Sequence, residues 1–311
     1  MAHHDLPAIP DLMAEYRNAA RDLLPVVGTT RRATGDPSTS YGVRGVTIDP
    51  AHLAAYTQAT GLRLGNTVPV TYPYVLAFPL AIKVMGAPDF PFNAVGAVHL
   101  TNVIEQHRPI ALTDALDIKV HAENLRPHRK GLLIDMVTEV TVDGELAWRQ
   151  TSGFLAKGAK LSGTAASHGA RPEDDGSPFG GHPEIPGGTP TAQWRVTPAE
   201  IKRYAQASGD KNPIHVSALG AKAFGFPTTI AHGMWSAAAM LSGLEGRIAD
   251  AVRYSVEFAK PVVLPARVSY YAQAGTGSTG GADGAAGAWD LQLRKTSKPA
   301  TLHAVARLEA L

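Results

Sequence analysis

The chain has 311 residues, of which 44% are hydrophobic and 18% are charged, so it can bury the core of one large domain or two ordinary ones. Its 29 Lys and Arg against 27 Asp and Glu give a formal net charge of +2, which argues against a nucleic-acid partner. The absence of cysteine excludes disulfide frameworks, thiolate zinc sites and cysteine nucleophiles, and it is typical of a reducing cytoplasm.

Residues 1–45 are predicted to form a helical extension, with a helical stretch over 10–24. The first residues carry neither the basic nor the apolar region of a secretory signal. His3 and His4 stand without further ligands, which is typical of a solvated terminus and not of a metal site. No apolar window reaches the roughly 18 residues that a membrane span requires. We therefore expect a soluble, cytoplasmic protein without a membrane span.

A segment rich in glycine and proline divides the chain. Residues 158–190 contain eight Gly and five Pro, a composition that cannot build a core and is typical of a linker. The sequence thus predicts one domain over 46–157 and a second over 191–311, both of ordinary domain size.

The two predicted domains carry a weak internal repeat. Residues 56–61 and 204–209 are identical at four of six positions with an offset of 148, and residues 103–110 align with 255–262 at an offset of 152. Alternating runs rich in β-branched residues then predict antiparallel strands. These runs are 115–122, 132–142 and 146–155 in the first domain, and 268–274, 288–293 and 301–308 in the second.

Each half also contains one long apolar helix candidate, residues 74–85 and 233–244. A helix that is apolar nearly all round must be buried on most faces, as it would be inside a curved antiparallel sheet. A shorter amphipathic helix is predicted from Pro198, with Thr197 as its N-cap and Glu200 completing a capping box.

The second repeat holds polar groups that the first repeat lacks. Asp210, Asn212 and His215 stand where the first repeat has Leu62, Leu64 and Thr67. Because a shared fold does not require these polar groups, they are candidates for chemistry. An ordinary turn with a surface histidine is the competing interpretation.

A second signal is Gly233 at the start of the buried helix, after His232. A glycine there leaves the backbone N–H groups accessible, and the helix dipole adds partial positive charge, so the position can hold an oxyanion. In the first repeat we expect the corresponding stretch to be 77–80, where Pro79 removes an N–H donor.

Residues 204–215 and 231–234 together resemble the signature of the MaoC-like, (R)-specific enoyl-CoA hydratases. The resemblance implies an α+β double hotdog whose first half is degenerate. It implies a catalytic pair, Asp210 and His215, with Asn212 supporting the loop and the N–H of Gly233 as the oxyanion donor. His232 is expected to be a supporting residue whose ring bonds the backbone near the helix start, and Trp235 is a candidate substrate-pocket residue. A role for Ser242 stays open.

The implied reaction is the reversible hydration of trans-2-enoyl thioesters to (R)-3-hydroxyacyl thioesters in fatty-acid metabolism. Such hydration needs a base, an acid and an enolate stabiliser, and the chain supplies all three without a metal or an organic cofactor. The substrate is an enoyl-CoA or an enoyl-acyl-carrier-protein. A double hotdog can remain a monomer or form a homodimer, and the sequence does not decide between them.

The sequence allows four other interpretations of its sites and function. Asp210, His215 and His232 could hold zinc or iron, although no metal-ligand spacing supports this. Residues 275–280 match G-x-G-x-x-G but precede no helix, which indicates a hairpin loop. Within enzymes, a hotdog thioesterase is the runner-up. From another class, a catalytically silent acyl-binding subunit remains, and the intact Asp210 and His215 argue against it.

Overall fold

The computed structural model describes residues 2–21, 31–93, 96–162, 177–275 and 287–311, with the side chains of 19–21 left out. Backbone contacts divide the chain into two compact units that interleave along the sequence. Unit 1 comprises Met1–Thr47, Pro73–Asn102 and Thr113–Ser177, and unit 2 comprises Ile48–Tyr72, Val103–Leu112 and Pro178–Leu311. The domain bounds predicted at 46–157 and 191–311 stay a prediction. Residues 163–176 of the predicted linker, and 276–280 of the G-x-G-x-x-G match, lie outside the described residues.

Unit 1 consists of an antiparallel sheet and one long apolar helix. Its elements are β1 (Ala2–Leu6), α1 (Leu12–Arg21), β2 (Thr39–Thr47), α3 (Tyr72–Gly86, which begins at the unit boundary), β4 (Ala115–His128), β5 (Gly131–Val142) and β6 (Glu145–Lys157). The strand order is β1-β2-β4-β5-β6, and every pairing is antiparallel except that of β1 with β2. The three strands predicted here from alternation, β4 to β6, are confirmed.

The N-terminal extension, predicted as helical, contains strands as well as a helix. The described part of residues 1–45 contains α1, but β1 also pairs in parallel with β2, and the Nδ1 atom of His3 lies 3.0 Å from the Oγ atom of Ser40. The terminus is therefore part of the sheet. The run Ala2–Leu6 is too polar and too short to predict a strand by itself; hydrogen bonds to a partner 37 residues away decide its conformation.

The predicted central helix of the first half is confirmed as α3, with Leu80 and Val84 fully buried. It packs on β5 and β6, and a cavity of only about 10 Å³ lies between the helix and these strands. Pro79 lies inside the helix and not at its start, so the expected correspondence between 77–80 and the start of the second helix is wrong. The proline removes one backbone hydrogen bond. The helix tolerates this loss because the burial of its apolar side chains stabilises it.

Unit 2 repeats the same theme with more helices. Its elements are α2 (Pro50–Thr60), β7 (Ala192–Val196), α4 (Pro198–Ser208), α5 (Pro213–Val216), α6 (Ala218–Ala223), α7 (Gly233–Ser242), β8 (Val252–Phe258), β9 (Ala266–Ala274), β10 (Trp289–Lys295) and β11 (Leu302–Ala310). The strand order is β8-β11-β10-β9-β7, antiparallel throughout. One further strand, β3 (Val98–Gln106), is divided between the two units.

The predicted second apolar helix is confirmed as α7. It packs against β10, β11 and α2, and the hydroxyl of Tyr254 in β8 donates to the carbonyl of Ala237 at 2.8 Å. All residues from Met234 to Leu241 are buried, as expected for a helix that is apolar all round. Among the described residues, no helix is both long and apolar enough to cross a membrane.

The internal repeat predicted from the sequence is visible in the helix ends. α2 begins after the N-cap Asp49 and ends at Gly61 with a φ of 76°, and α4 begins after the N-cap Thr197 and ends at Gly209 with a φ of 72°. Both caps keep the offset of 148 residues. Positive φ favours glycine because other residues carry a Cβ that clashes there. The two helices are therefore equivalent elements of the repeat, and they pack against each other.

We expect Thr197→Ala to lower the free energy of unfolding by about 1 kcal/mol. The hydroxyl of Thr197 accepts from the N–H of Glu200, and the Glu200 carboxylate accepts from the N–H of Thr197 at 2.7 Å. Thermal unfolding monitored by circular dichroism measures the change. Thr197→Ser keeps the oxygen and should match the wild type, whereas an alanine variant as stable as the wild type would contradict the cap.

Candidate active site

The loop after α4 is held by a chain of side-chain to backbone hydrogen bonds. The N–H of Asp210 donates to the Oγ atom of Ser208 at 3.3 Å, and the N–H of Asn212 donates to Oδ1 of Asp210 at 3.2 Å. The N–H of Ile214 then donates to Oδ1 of Asn212 at 3.2 Å. Each side chain thus fixes the backbone two residues further on, as in Asx-turns. These bonds constrain the loop, and the supporting role of Asn212 stays a prediction.

His215 lies in α5, and its tautomer follows from its bonding. Its Nδ1–H donates to the carbonyl of Ile230 at 2.8 Å, and because a carbonyl only accepts, the Nε2 atom carries the free lone pair. Burial lowers the pKa of His215 below its ordinary value, while the carboxylate of Asp210 and the Ile230 carbonyl act in the opposite direction. At neutral pH the side chain is a neutral imidazole that can accept a proton at Nε2.

His232 connects the loop to the start of α7. Its Nε2–H donates to the carbonyl of Asp210 at 2.9 Å and lies 3.6 Å from Oδ2 of the same residue. Its ring stacks on His215 with 3.7 Å between centroids and contacts Tyr204 at 4.9 Å. His232 is only 3% exposed. The ring was expected to bond backbone near the helix start; it bonds instead the carbonyl of Asp210 in the loop after α4, because that loop packs against the start of α7.

The charge state of His232 is set by the same packing. Burial lowers its pKa to about 3, assisted by the neighbouring His215 and opposed by Asp210. The contact with Asp210 is accordingly a hydrogen bond from a neutral ring and not an ion pair. Its Nδ1 atom is buried and has no hydrogen-bond partner among the described residues.

Gly233 begins α7, and no side chain caps that helix end. A Cβ atom built on Gly233 would lie 3.2 Å from the ring of Phe258, closer than an ordinary contact, so any larger residue would displace the ring. The free N–H groups of the first turn carry the positive end of the helix dipole. The position suits an oxyanion donor, and that role of Gly233 stays a prediction.

Trp235 and Ser242 are engaged elsewhere. The indole Nε1–H of Trp235 donates to the carbonyl of Ala59 in α2 at 3.0 Å, and the side chain is buried. The hydroxyl of Ser242 donates to the carbonyl of Ala239 at 2.8 Å. Trp235 therefore anchors α7 to α2, and its contact with substrate stays a prediction.

Three groups of this site could act as metal ligands. Asp210, His215 and His232 offer ligand atoms that all lie within 4.8 Å of one another. However, the Nε2–H of His232 already donates to the carbonyl of Asp210, and a metal at this Nε2 would replace that bond. These donors fit a metal poorly, and we retain the expectation of metal-free chemistry.

Sequence reasoning missed three neighbours of the predicted residues. Ser208 and Tyr204 belong to the repeated segment 204–209, and they contact Asp210 and His232. Phe258, against Gly233, aligns with Gln106 in the second repeated block. The signal for each was present in the repeat, but a repeat alone does not tell which members face the loop.

Comparisons with known proteins agree on one family. A family model described as a MaoC like domain matches residues 183–284. The chain is 46% identical over 289 residues to 3-hydroxyacyl-thioester dehydratase X of Mycobacterium tuberculosis, covering 93% of this chain and 95% of that protein.

Solved structures agree with the sequence comparisons. The crystal structure of HtdX of Mycobacterium tuberculosis matches with a TM-score of 0.72 and 45% identity, covering 88% of this chain and 100% of that one. A MaoC-like dehydratase from Phytophthora capsici matches with a TM-score of 0.66 and 19% identity over 90% of this chain and 97% of that one, a likeness of fold alone. The predicted α+β double hotdog is confirmed.

We expect His232→Leu to reduce turnover roughly ten- to a hundredfold, because the half-buried Asp210 loses the donor to its carbonyl at a cost of about 1–3 kcal/mol. His232→Gln can present an amide N–H near the position of Nε2 and should retain more activity than the leucine variant. Steady-state kinetics on both variants measure the difference. Equal activity in the two variants would mean that packing, and not the hydrogen bond, is what His232 provides.

Proposed function

Because the chain belongs to the MaoC-like 3-hydroxyacyl-thioester dehydratase family, we propose that it reversibly hydrates trans-2-enoyl thioesters to (R)-3-hydroxyacyl thioesters in fatty-acid metabolism. It is a hydro-lyase acting on a thioester substrate. The observation that carries the proposed mechanism is the convergence of an oriented carboxylate, a neutral imidazole with a free Nε2 and an uncapped helix N-terminus.

The water molecule is proposed to bind between Asp210 and His215. Both groups are hydrogen-bond acceptors at neutral pH, since the carboxylate only accepts and the imidazole has its lone pair at Nε2. A water that donates one hydrogen to each group turns its oxygen lone pairs toward the substrate. The β-carbon of the enoyl chain would then be the atom attacked.

In this mechanism His215 takes a proton from the water as its oxygen bonds to the β-carbon. The electron pair of the carbon–carbon double bond moves to the thioester oxygen and forms an enolate. His215 is then an imidazolium beside the Asp210 carboxylate, which stabilises it. The imidazolium returns a proton to the α-carbon, so the site regains its starting charge. Dehydration follows the same steps in reverse.

The enolate oxygen would be held by the N–H of Gly233. The first N–H groups of a helix lack intrahelical partners, and the dipole of α7 favours negative charge at this end. A preorganised donor of this kind acts where charge develops and needs no reorganisation during the reaction. His232 contributes indirectly, by positioning Asp210 and packing against His215.

Finer features of the substrate and its setting are also proposals. We infer that the acyl carrier is coenzyme A or an acyl carrier protein, and that the protein works in the cytoplasm. A homodimer remains one of two assemblies to test. A thioesterase would direct water to the carbonyl carbon and release a thiol, and a silent acyl-binding subunit would do neither.

We expect Asp210→Asn and His215→Gln each to lower turnover of crotonyl-CoA by about 10²- to 10⁴-fold, since the first removes the negative charge that stabilises the imidazolium and the second removes the group that takes the proton from water. The loss of enoyl absorbance reports hydration, and a thiol reagent in a parallel assay reports thioester cleavage. Circular dichroism and thermal unfolding check that the variants keep their fold.

We expect the wild type to hydrate crotonyl-CoA without releasing thiol, and both variants to lose this hydration. Thiol release without hydration would mean a thioesterase. A folded wild type that does neither with crotonyl-CoA, a longer enoyl-CoA or an enoyl-acyl-carrier-protein would favour an acyl-binding subunit.

The pH dependence of hydration should reflect the lowered pKa of His215. Its folded-state pKa lies below 6.5 because burial disfavours the imidazolium, so the proton-accepting form persists as pH falls through 6.5. We expect kcat/KM for crotonyl-CoA to stay level between pH 8 and 6.5, about the ordinary histidine value, and to decline only at lower pH. A midpoint at or above the ordinary histidine value would rule out a buried neutral His215 as the base.

A further inference from the structure

The first repeat retains a cavity of about 520 Å³ within unit 2, a size typical of ligand sites. Its lining comes from residues 62–70 after α2, from Gln106 and Pro109 near the end of β3, and from Leu241 and the segment that follows α7. The mechanism proposed above uses none of these residues.

The cavity occupies the position that corresponds to the active site in the other repeat. With the offset of 148 residues, the segment 62–70 corresponds to 210–218, which contains Asp210 and His215. With the offset of 152, Gln106 corresponds to Phe258, the residue whose ring lies against Gly233. Equivalent helices precede the two loops, because Gly61 and Gly209 end α2 and α4 in the same left-handed conformation.

The cavity lacks the groups needed for hydration. Leu62 and Thr67 replace Asp210 and His215, so the loop offers neither a carboxylate nor an imidazole at those positions. A ligand bound there would not be turned over by the chemistry of the second repeat.

The lining nevertheless offers a buried acceptor. Gln106 is only 4% exposed, and its Nε2 donates to the carbonyl of Asp250 at 3.0 Å, while its Oε1 is buried with no hydrogen-bond partner among the described residues. Leaving an amide oxygen unpaired is costly, so a bound donor would stabilise it once the Gln106 side chain turns toward the cavity. The lining also carries the charged residues Arg63, Glu245 and Asp250, and the backbone N–H of Arg63 donates to the Glu245 carboxylate at 2.8 Å.

These features select the chemistry of the ligand. Two carboxylates against the one guanidinium of Arg63 leave the lining net negative, which disfavours a phosphate, whereas Val68, Leu62 and Leu241 supply apolar walls. A neutral chain that carries amide N–H donors matches both properties. We propose that this cavity is a second, non-catalytic site that binds the pantetheine arm of an acyl thioester. The choice of ligand rests on the proposed function, since both repeats would then recognise the same arm.

The test counts binding sites with S-butylpantetheine, a neutral thioether that cannot be hydrated. Equilibrium dialysis should find two equivalents per wild-type chain. Thr67→Trp fills the cavity and should leave one equivalent, whereas Leu64→Trp, in the same loop but outside the lining, should leave two. Gly233→Val blocks the catalytic site instead and should also leave one.

Gln106→Leu gives a second measurement in case Thr67→Trp fails to fold. It removes the acceptor at similar size and should weaken the second equivalent about tenfold, as expected for one lost hydrogen bond. One equivalent in the wild type, lost in Gly233→Val and unchanged in Thr67→Trp, would overturn the second site and leave the hydratase intact. Two equivalents in a wild type that hydrates no enoyl thioester would overturn the proposed function and keep the second site. No binding at millimolar probe would overturn the inference.

Discussion

The bond from the Nε2–H of His232 to the carbonyl of Asp210 is the constraint on which the site depends. It fastens the loop after α4 to the N-cap residue of α7, so the Asp210 carboxylate and the first N–H groups of α7 have a fixed relation. Because burial keeps the ring neutral, the bond requires the tautomer that carries its proton on Nε2. The stacking of His232 on His215 extends the same constraint to the proton acceptor. One buried histidine therefore positions three groups of different chemistry.

The sequence predicts much of this arrangement because its signals are local. Thr197, Pro198 and Glu200 specify a helix start within one turn, and Gly209 specifies its end. Asp210 and His215 stand out because a second copy of the same framework lacks them. What could not be predicted is non-local. β1 forms through pairing with β2, and Pro79 is tolerated inside α3 because the helix is buried. The hydrogen-bond partner of His232 lies 22 positions away in the sequence, so only the folded chain brings the two together.

The repeat separates what a hotdog half needs for folding from what it needs for chemistry. Both copies keep the N-cap, the proline at the first turn and the glycine at the end of the helix, since these residues act on their own backbone. The loop that follows is different, because its side chains are free to change once the helix end is fixed. In the second copy a ladder of Asx-type hydrogen bonds makes the loop rigid, whereas leucines take those positions in the first.

The interleaving of the two units has a consequence for how the gene can be divided. Unit 2 requires the segment Ile48–Tyr72, which the linear order assigns to the first half. Within that unit, His52 donates to the carbonyl of Ala207 and Trp235 donates to that of Ala59. Dividing the gene once, between the two predicted domains, would thus remove helix α2 from the unit that contains Asp210 and His215. The first copy can therefore lack the catalytic groups of the second while its helix α2 remains a structural part of the unit that contains them.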